Sequence, residues 1–116
     1  MPIPPRFLAI SAAFIAAAAW AHHGWSAYDA AKPLKIEAPL AQVQYRNPHV
    51  EAAVDYQGAR WNVVLAPVSR MEARGLPASA LPVGKVVAVE GFPRTDGTHE
   101  LKAERITIDS KTIELR

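Results

Sequence analysis

The chain has 116 residues, with 13 Lys and Arg against 11 Asp and Glu, and no cysteine. This length favours a single domain. The near balance of charge argues against a nucleic-acid-binding protein, which usually presents a strongly basic face. The lack of cysteine excludes disulfides, thiolate zinc sites and cysteine nucleophiles.

The first 21 residues have the three-part layout of a secretory signal peptide. Arg6 is the single charge before an apolar run over residues 7–19, and Ala19-Trp20-Ala21 is a small-any-small cleavage site. The run is shorter than the roughly 20 residues of a spanning helix. We therefore predict an exported, periplasmic protein with no membrane segment after cleavage, with an uncleaved anchor as the alternative.

Two cleavage points fit this segment. A cut after Ala21 makes His22 the new N-terminus and leaves 95 residues (116 − 21), with 12 basic against 11 acidic groups once Arg6 is lost. A cut after Ala19 leaves Trp20-Ala21-His22 at the start of the chain. The first is the favoured prediction.

Residues 22–33 show no clear period and are predicted to form an extended N-terminal arm. From residue 34 to 116, short apolar stretches alternate with turn residues, a pattern typical of all-β domains. Strands are predicted at about residues 35–45, 49–56, 60–65, 85–92, 99–108 and 112–115. A short helix over residues 69–74 is predicted between the third and fourth strands.

Local signals refine this prediction. Pro39 within the first strand indicates an edge position or a bulge. A phase shift of the apolar residues in the fifth strand indicates a bulge near Glu104. Ser69 and Glu72 resemble a capping box at the start of the helix, and Gly75 stands where the helix would end.

The order of three strands, a short helix and two strands is that of the OB-fold, a small Greek-key barrel. We therefore expect an all-β protein: a five- to six-stranded antiparallel barrel, OB-fold-like, with one helix. A plain sandwich or another small barrel is the alternative.

The four histidines, His22, His23, His49 and His99, are the candidate metal ligands. In an OB-like barrel the loops that precede His49 and His99 flank the ligand face. The arm is long enough to fold back over that rim, so the imidazoles are expected to converge at one end. Imidazole nitrogens favour copper, and zinc is a weaker candidate.

The cleavage point decides the form of this site. After a cut at Ala21, the α-amine and imidazole of His22 could chelate one ion and His49 could complete a T-shaped set. That arrangement resembles the histidine brace of copper monooxygenases and periplasmic copper-binding proteins. After a cut at Ala19, His22 is third from the amine and resembles the amino-terminal copper- and nickel-binding motif.

Several of these residues also have purely structural interpretations. Asn47-Pro48 can simply form a turn that ends at His49. Trp25 and Tyr28 can clamp the arm onto the barrel, and Trp61 can lie in the core. Asp29 can cap a turn or support a ligand histidine. Arg70 and Arg74 can lie on a solvated face of the helix, and a bound anion there is the alternative.

The stretches HHGWSAYD, NPHV, LAPVSRMEARGL and GFPRTDGTHELKAERITI resemble a family of small exported bacterial proteins classed as a domain of unknown function. The resemblance spans nearly the whole chain after the signal peptide and implies a periplasmic, single-domain β-protein. His22, His23 and His49 fall on its pattern, whereas His99 does not carry over. Relatives often have glycine near Ala38-Pro39, where this chain departs from the pattern.

We therefore expect a periplasmic metal-binding protein, for copper chaperoning or sequestration, with a protein partner in the periplasm as a further expectation. The alternative is a non-metal module that binds a peptide, glycan or protein. An enzyme is a weaker hypothesis, because Asp29 and Glu51 are the only apparent general bases. His99-Glu100 is no zinc-protease motif, since residue 103 is alanine.

Overall fold

The computed structural model describes residues 27–116. They form six strands: β1 (Leu34–Gln44), β2 (Glu51–Tyr56), β3 (Ala59–Val64), β4 (Val86–Pro93), β5 (Glu100–Ile108) and β6 (Lys111–Glu114). Helix α1 (Val68–Ala73) and a 3₁₀ turn (Ala78–Ala80) lie between β3 and β4. Within this range, no helix combines the length and hydrophobicity needed to cross a membrane.

Five of the strands close into a barrel. The sheet order is β3-β2-β1-β4-β5-β6, and an additional pairing of β3 with β5 closes it, so β6 lies outside the barrel. The β3–β5 ladder is parallel, whereas the other ladders are antiparallel. The predicted all-β, OB-fold-like barrel is confirmed, but it is mixed and not wholly antiparallel.

Two bulges bend the strands around the barrel. Glu90 pairs with Arg105 and Gly91 with Ala103, so Glu104 is the extra residue of β5. The bulge predicted from the apolar phase shift is therefore confirmed. A second bulge skips Ala41, just after Pro39, where β1 leaves β4 and begins to pair with β2.

The core lies inside the barrel and follows the two-residue period of the strands. In β1 the buried side chains are Ile36, Ala38 and Leu40, and exposed or half-exposed residues alternate with them. The largest fully buried side chains are Ile36, Leu40, Leu65, Met71, Leu101, Ile106 and Leu115.

Helix α1 packs one residue into this core, because Met71 is fully buried while the rest of the helix is exposed or half-buried. It ends in a Schellman motif: Gly75 has a φ of 81°, its N–H donates to Glu72 O, and Leu76 N–H donates to Met71 O. The predicted stop at Gly75 is confirmed.

The predicted capping box at the start of α1 is wrong. The N-cap is Pro67, and no side chain of the helix caps it. The Val68 N–H instead donates to Asn47 Oδ1, at 3.1 Å, from the β1–β2 loop. A residue distant in sequence therefore supplies the acceptor that Ser69 was expected to provide.

Candidate functional site

The described end of the N-terminal arm docks on the barrel beside the β4–β5 loop. Thr95 N–H donates to Ala27 O at 2.9 Å, and Asp29 N–H donates to Pro93 O at 2.8 Å. Tyr28 forms an isolated antiparallel bridge with Arg94 between these two bonds. The first described residues of the arm, Ala27–Asp29, thus pair with the chain that leaves β4.

Tyr28 fixes this docking through its side chain. Its hydroxyl donates to Glu100 Oε2 at 2.8 Å. Its ring lies 5.6 Å from the Arg94 guanidinium and 5.6 Å from the Lys102 ammonium, both within cation–π range. The prediction that Tyr28 clamps the arm is confirmed, although the clamp is polar and cationic as well as apolar.

Burial and the adjacent Glu100 carboxylate raise the pKa of Tyr28 to about 12. A phenol whose pKa rises on folding stabilises the fold below the unfolded value of 10. That stability is lost as the pH rises through the folded value. We expect a tyrosinate absorbance titration to show one phenol ionising near pH 12 together with release of the arm.

The Tyr28→Phe variant should lack this alkaline transition, because no phenol remains to ionise beside Glu100. Tyr45→Phe is the matched control: the Tyr45 hydroxyl donates to Leu76 O, which belongs to the loop after α1 and not to the arm. An unchanged titration after Tyr28→Phe would contradict the clamp.

Glu100 belongs to a row of polar side chains on the outer surface of β2, β3 and β5, which we call the polar row: Glu51, Asn62 and Glu100. The Asn62 side-chain amide donates to Glu51 Oε1 at 3.3 Å and to Glu100 Oε1 at 3.2 Å. Arg94 also donates to Glu100 Oε2, at 3.3 Å. The row therefore joins the barrel surface to the clamp of the arm.

The β4–β5 loop beside the arm is held by its own hydrogen bonds. Thr98 N–H donates to Asp96 Oδ1 at 2.9 Å, and Arg94 pairs with the same carboxylate at 3.2 Å. The pKa of Asp96 falls to about 2, chiefly because hydrogen bonds from Thr98 stabilise the carboxylate. These contacts order the loop that leads into His99.

His99 lies exposed at the end of this loop. Its ring is 4.9 Å from the ring of Trp61, at an interplanar angle of 31°, and Tyr56 packs edge-on against the same indole at 6.2 Å. Trp61 is half-buried and packs against the core, so it lies at the edge of the core and not within it as predicted. The imidazole is thus held against the barrel but open to solvent.

His49 lies in the β1–β2 loop and is exposed. The preceding Asn47-Pro48 peptide is cis, and Asn47 caps α1. The structural interpretation of Asn47-Pro48 therefore applies here, since this turn connects β1 to β2 and anchors the helix.

The strand register separates His49 from His99. Continuing the β2–β3 ladder places His49 beside Ala66, whereas His99 lies beside Trp61 on the β5 side. These positions are five residues apart along β3, or roughly 17 Å. The backbone positions of His49 and His99 therefore lie toward opposite ends of β3, whereas the sequence suggested one end.

The other two histidines, His22 and His23, and also Trp25, lie outside the described residues. Within residues 27–116, no group of three His, Asp or Glu side chains is arranged to hold a metal ion. Asp29 accepts a hydrogen bond from Ala31 N–H and so caps a turn.

Arg70 and Arg74 have a structural role that the sequence did not indicate. Their guanidinium groups donate to the carbonyl oxygens of Leu115 and Glu114, so they hold the end of the chain against α1. The sequence also gave no signal for Glu100 or Asn62, because their importance comes from a parallel ladder between distant strands.

Residues 10–102 match a protein family described as "Family of unknown function (DUF6152)". The chain belongs to DUF6152. The match spans most of the chain, from the apolar run to β5, and so includes the arm, the polar row and all four histidines. No curated protein matches this DUF6152 chain.

Proposed function

We propose that this DUF6152 protein binds a copper ion in the periplasm, for chaperoning or sequestration. The ligands are the histidines at the start of the processed chain, His22 and His23, together with an imidazole of the barrel. Zinc is the weaker candidate, because sites rich in nitrogen ligands favour Cu(II).

One observation carries the proposal: the pairing of Ala27–Asp29 with Pro93–Thr95, which ties the segment after the two histidines to the β4–β5 loop. His23 is four residues before Ala27, so the chain lets it reach at most about 14 Å from that anchor. His99 ends this same loop, and its exposed ring is available as a ligand.

This docking favours His99 over His49 as the histidine that the barrel contributes. His49 is the residue on the family pattern, but it lies at the other end of β3. His99 was the least certain of the four from sequence. The two histidines therefore give two distinguishable versions of the proposal.

Calorimetric Cu(II) titration of the processed protein tests both versions. We expect His22→Ala to abolish tight binding and His99→Ala to weaken it at least about tenfold, or about 1.4 kcal/mol. His49→Ala is the matched control and should bind as the parent does. Intact mass must first confirm that each variant is cleaved at the same residue.

Binding should also weaken as the pH falls below about 6, because imidazole coordinates metal only when neutral. Unchanged affinity in a His22→Ala/His99→Ala variant would contradict the proposal. Loss of binding in His49→Ala alone would assign the barrel ligand to the β1–β2 loop.

The polar row favours a second candidate function, a non-metal binding module. Glu51, Asn62 and Glu100 lie on the outer surface of β2, β3 and β5, and an OB-fold barrel binds its ligands on the β2–β3 part of this surface. A peptide, glycan or protein bound there would be retained after chelator treatment and weakened by Asn62→Ala. Copper binding would instead be lost after chelator treatment and retained in Asn62→Ala.

A further inference from the structure

Strand β6 has an open edge within the described part of the chain. It pairs with β5 through a two-residue turn in which Asp109 and Ser110 have φ values of 50° and 65°, as in a type I′ turn. In such a hairpin the two residues that flank the turn exchange hydrogen bonds with each other. The next residue of each strand then points its backbone N–H and C=O away from the partner strand, and this alternation continues along the strand.

This alternation leaves the N–H and C=O of Thr112 directed outward. Two contacts agree with it. Leu115 N–H donates to Glu104 O at 2.8 Å, so the backbone N–H of Leu115 points inward, toward β5. The next outward carbonyl, that of Glu114, accepts a hydrogen bond from Arg74. The edge is therefore covered at Glu114 by α1 and is free at Thr112.

A groove of about 300 Å³ runs beside this edge. It separates the β5–β6 hairpin from the segment that leads from α1 to β4. Its apolar lining comes from both sides: Leu76, Ala80, Pro82, Ile108 and Ile113.

The rim of the groove is basic. Lys85 and Lys111 lie on its two sides, with one carboxylate, Asp109, between them. Lys85 pairs with Asp109, whereas Lys111 is exposed. This charge favours an acidic occupant. It also disfavours a second copy of the chain, since lysine on an edge strand is a common means of preventing self-pairing.

We infer that this groove is a docking site for an extended segment of a protein partner that carries apolar and acidic side chains on one face. The segment adds a strand to β6 through the Thr112 backbone. Its apolar side chains enter the groove beside Ile113, and a carboxylate two residues along meets Lys111, which lies on the same face of β6. The inference does not depend on copper, because none of these residues belongs to the arm or to the β4–β5 loop.

Nuclear magnetic resonance titration of the ¹⁵N-labelled protein tests it. The probe is a short N-acetylated peptide with valine and glutamate on one strand face and threonine at every intervening position. We expect saturable shifts of the Lys111, Thr112 and Ile113 amides and slower hydrogen exchange at Thr112. Lys111→Glu should weaken binding about fivefold, since it replaces an exposed attraction by a repulsion. Lys32→Glu, an exposed lysine in the arm, is the matched control.

The same peptide with lysine in place of glutamate should bind more weakly than the glutamate peptide. Equal binding of the two peptides, or shifts confined to the polar row, would overturn the inference. Concentration-dependent shifts of the β6 amides without peptide would assign the edge to a second copy and would also overturn it. Copper titration is read separately, so failure of one proposal leaves the other standing.

Discussion

Replacing Gly91 by alanine is expected to destabilise the protein by about 3 kcal/mol, at the upper end of the usual cost of overpacking. A Cβ at residue 91 would lie 2.0 Å from the Lys102 carbonyl oxygen and 2.8 Å from Ala103 Cα. These are backbone atoms of β5, so no side-chain rotation can relieve the contact. The strands approach this closely because the bulge at Glu104 lies directly opposite.

Urea denaturation followed by circular dichroism measures this loss, since a domain of this size usually unfolds in one step. Gly58→Ala is the matched control, because a Cβ there meets nothing within 4 Å and the cost comes only from its φ of 76°. That cost should be about 1 kcal/mol. Equal stability of Gly91→Ala and the parent would mean that β4 and β5 do not meet as described.

Replacing Met71 by alanine is expected to cost about 3 kcal/mol, within the range for a fully buried methionine. Met71 is the only residue of α1 that is buried, so its truncation leaves a cavity and loosens the helix. The β1–β2 loop should loosen with it, because Asn47 caps α1.

Ser69→Ala is the matched control for this variant and should change the free energy of unfolding by less than about 0.5 kcal/mol. Ser69 is exposed and caps nothing. Asn47→Ala should instead cost about 1 kcal/mol, as loss of a helix cap does. A large effect of Ser69→Ala, with none for Asn47→Ala, would restore the capping box that the sequence suggested.

Features that depend on neighbours in the sequence were predictable. Each predicted strand overlaps an observed one, because apolar periodicity reports which face of a strand is buried. The bulge at Glu104 was visible as a change in that phase. The stop at Gly75 was also predictable, because it needs a positive φ that glycine adopts at little cost.

Features that depend on contacts between distant residues were not predictable in the same way. The helix cap comes from Asn47, which lies 21 positions before Val68, the residue whose N–H donates to it. The polar row exists because β3 and β5 pair in parallel, which brings Asn62 beside Glu100. No local pattern in either strand carries that information.

The candidate site shows the same division. The sequence located the histidines on the arm and on the two loops, but not the ends of the barrel at which those loops lie. That depends on strand direction, which places His49 beside the end of β3 and His99 beside its start. The docking of the arm through Tyr28 on the β4–β5 side is the reason that the copper proposal favours His99 over His49.

Native mass spectrometry of the exported protein, with and without one equivalent of Cu(II), tests the central claim most directly. It reports the first residue of the processed chain and the metal stoichiometry together. We expect a chain that begins at His22 and gains one copper ion, and loss of that ion in His22→Ala/His99→Ala. A chain that begins at His22 and stays metal-free at one equivalent of Cu(II) would contradict it.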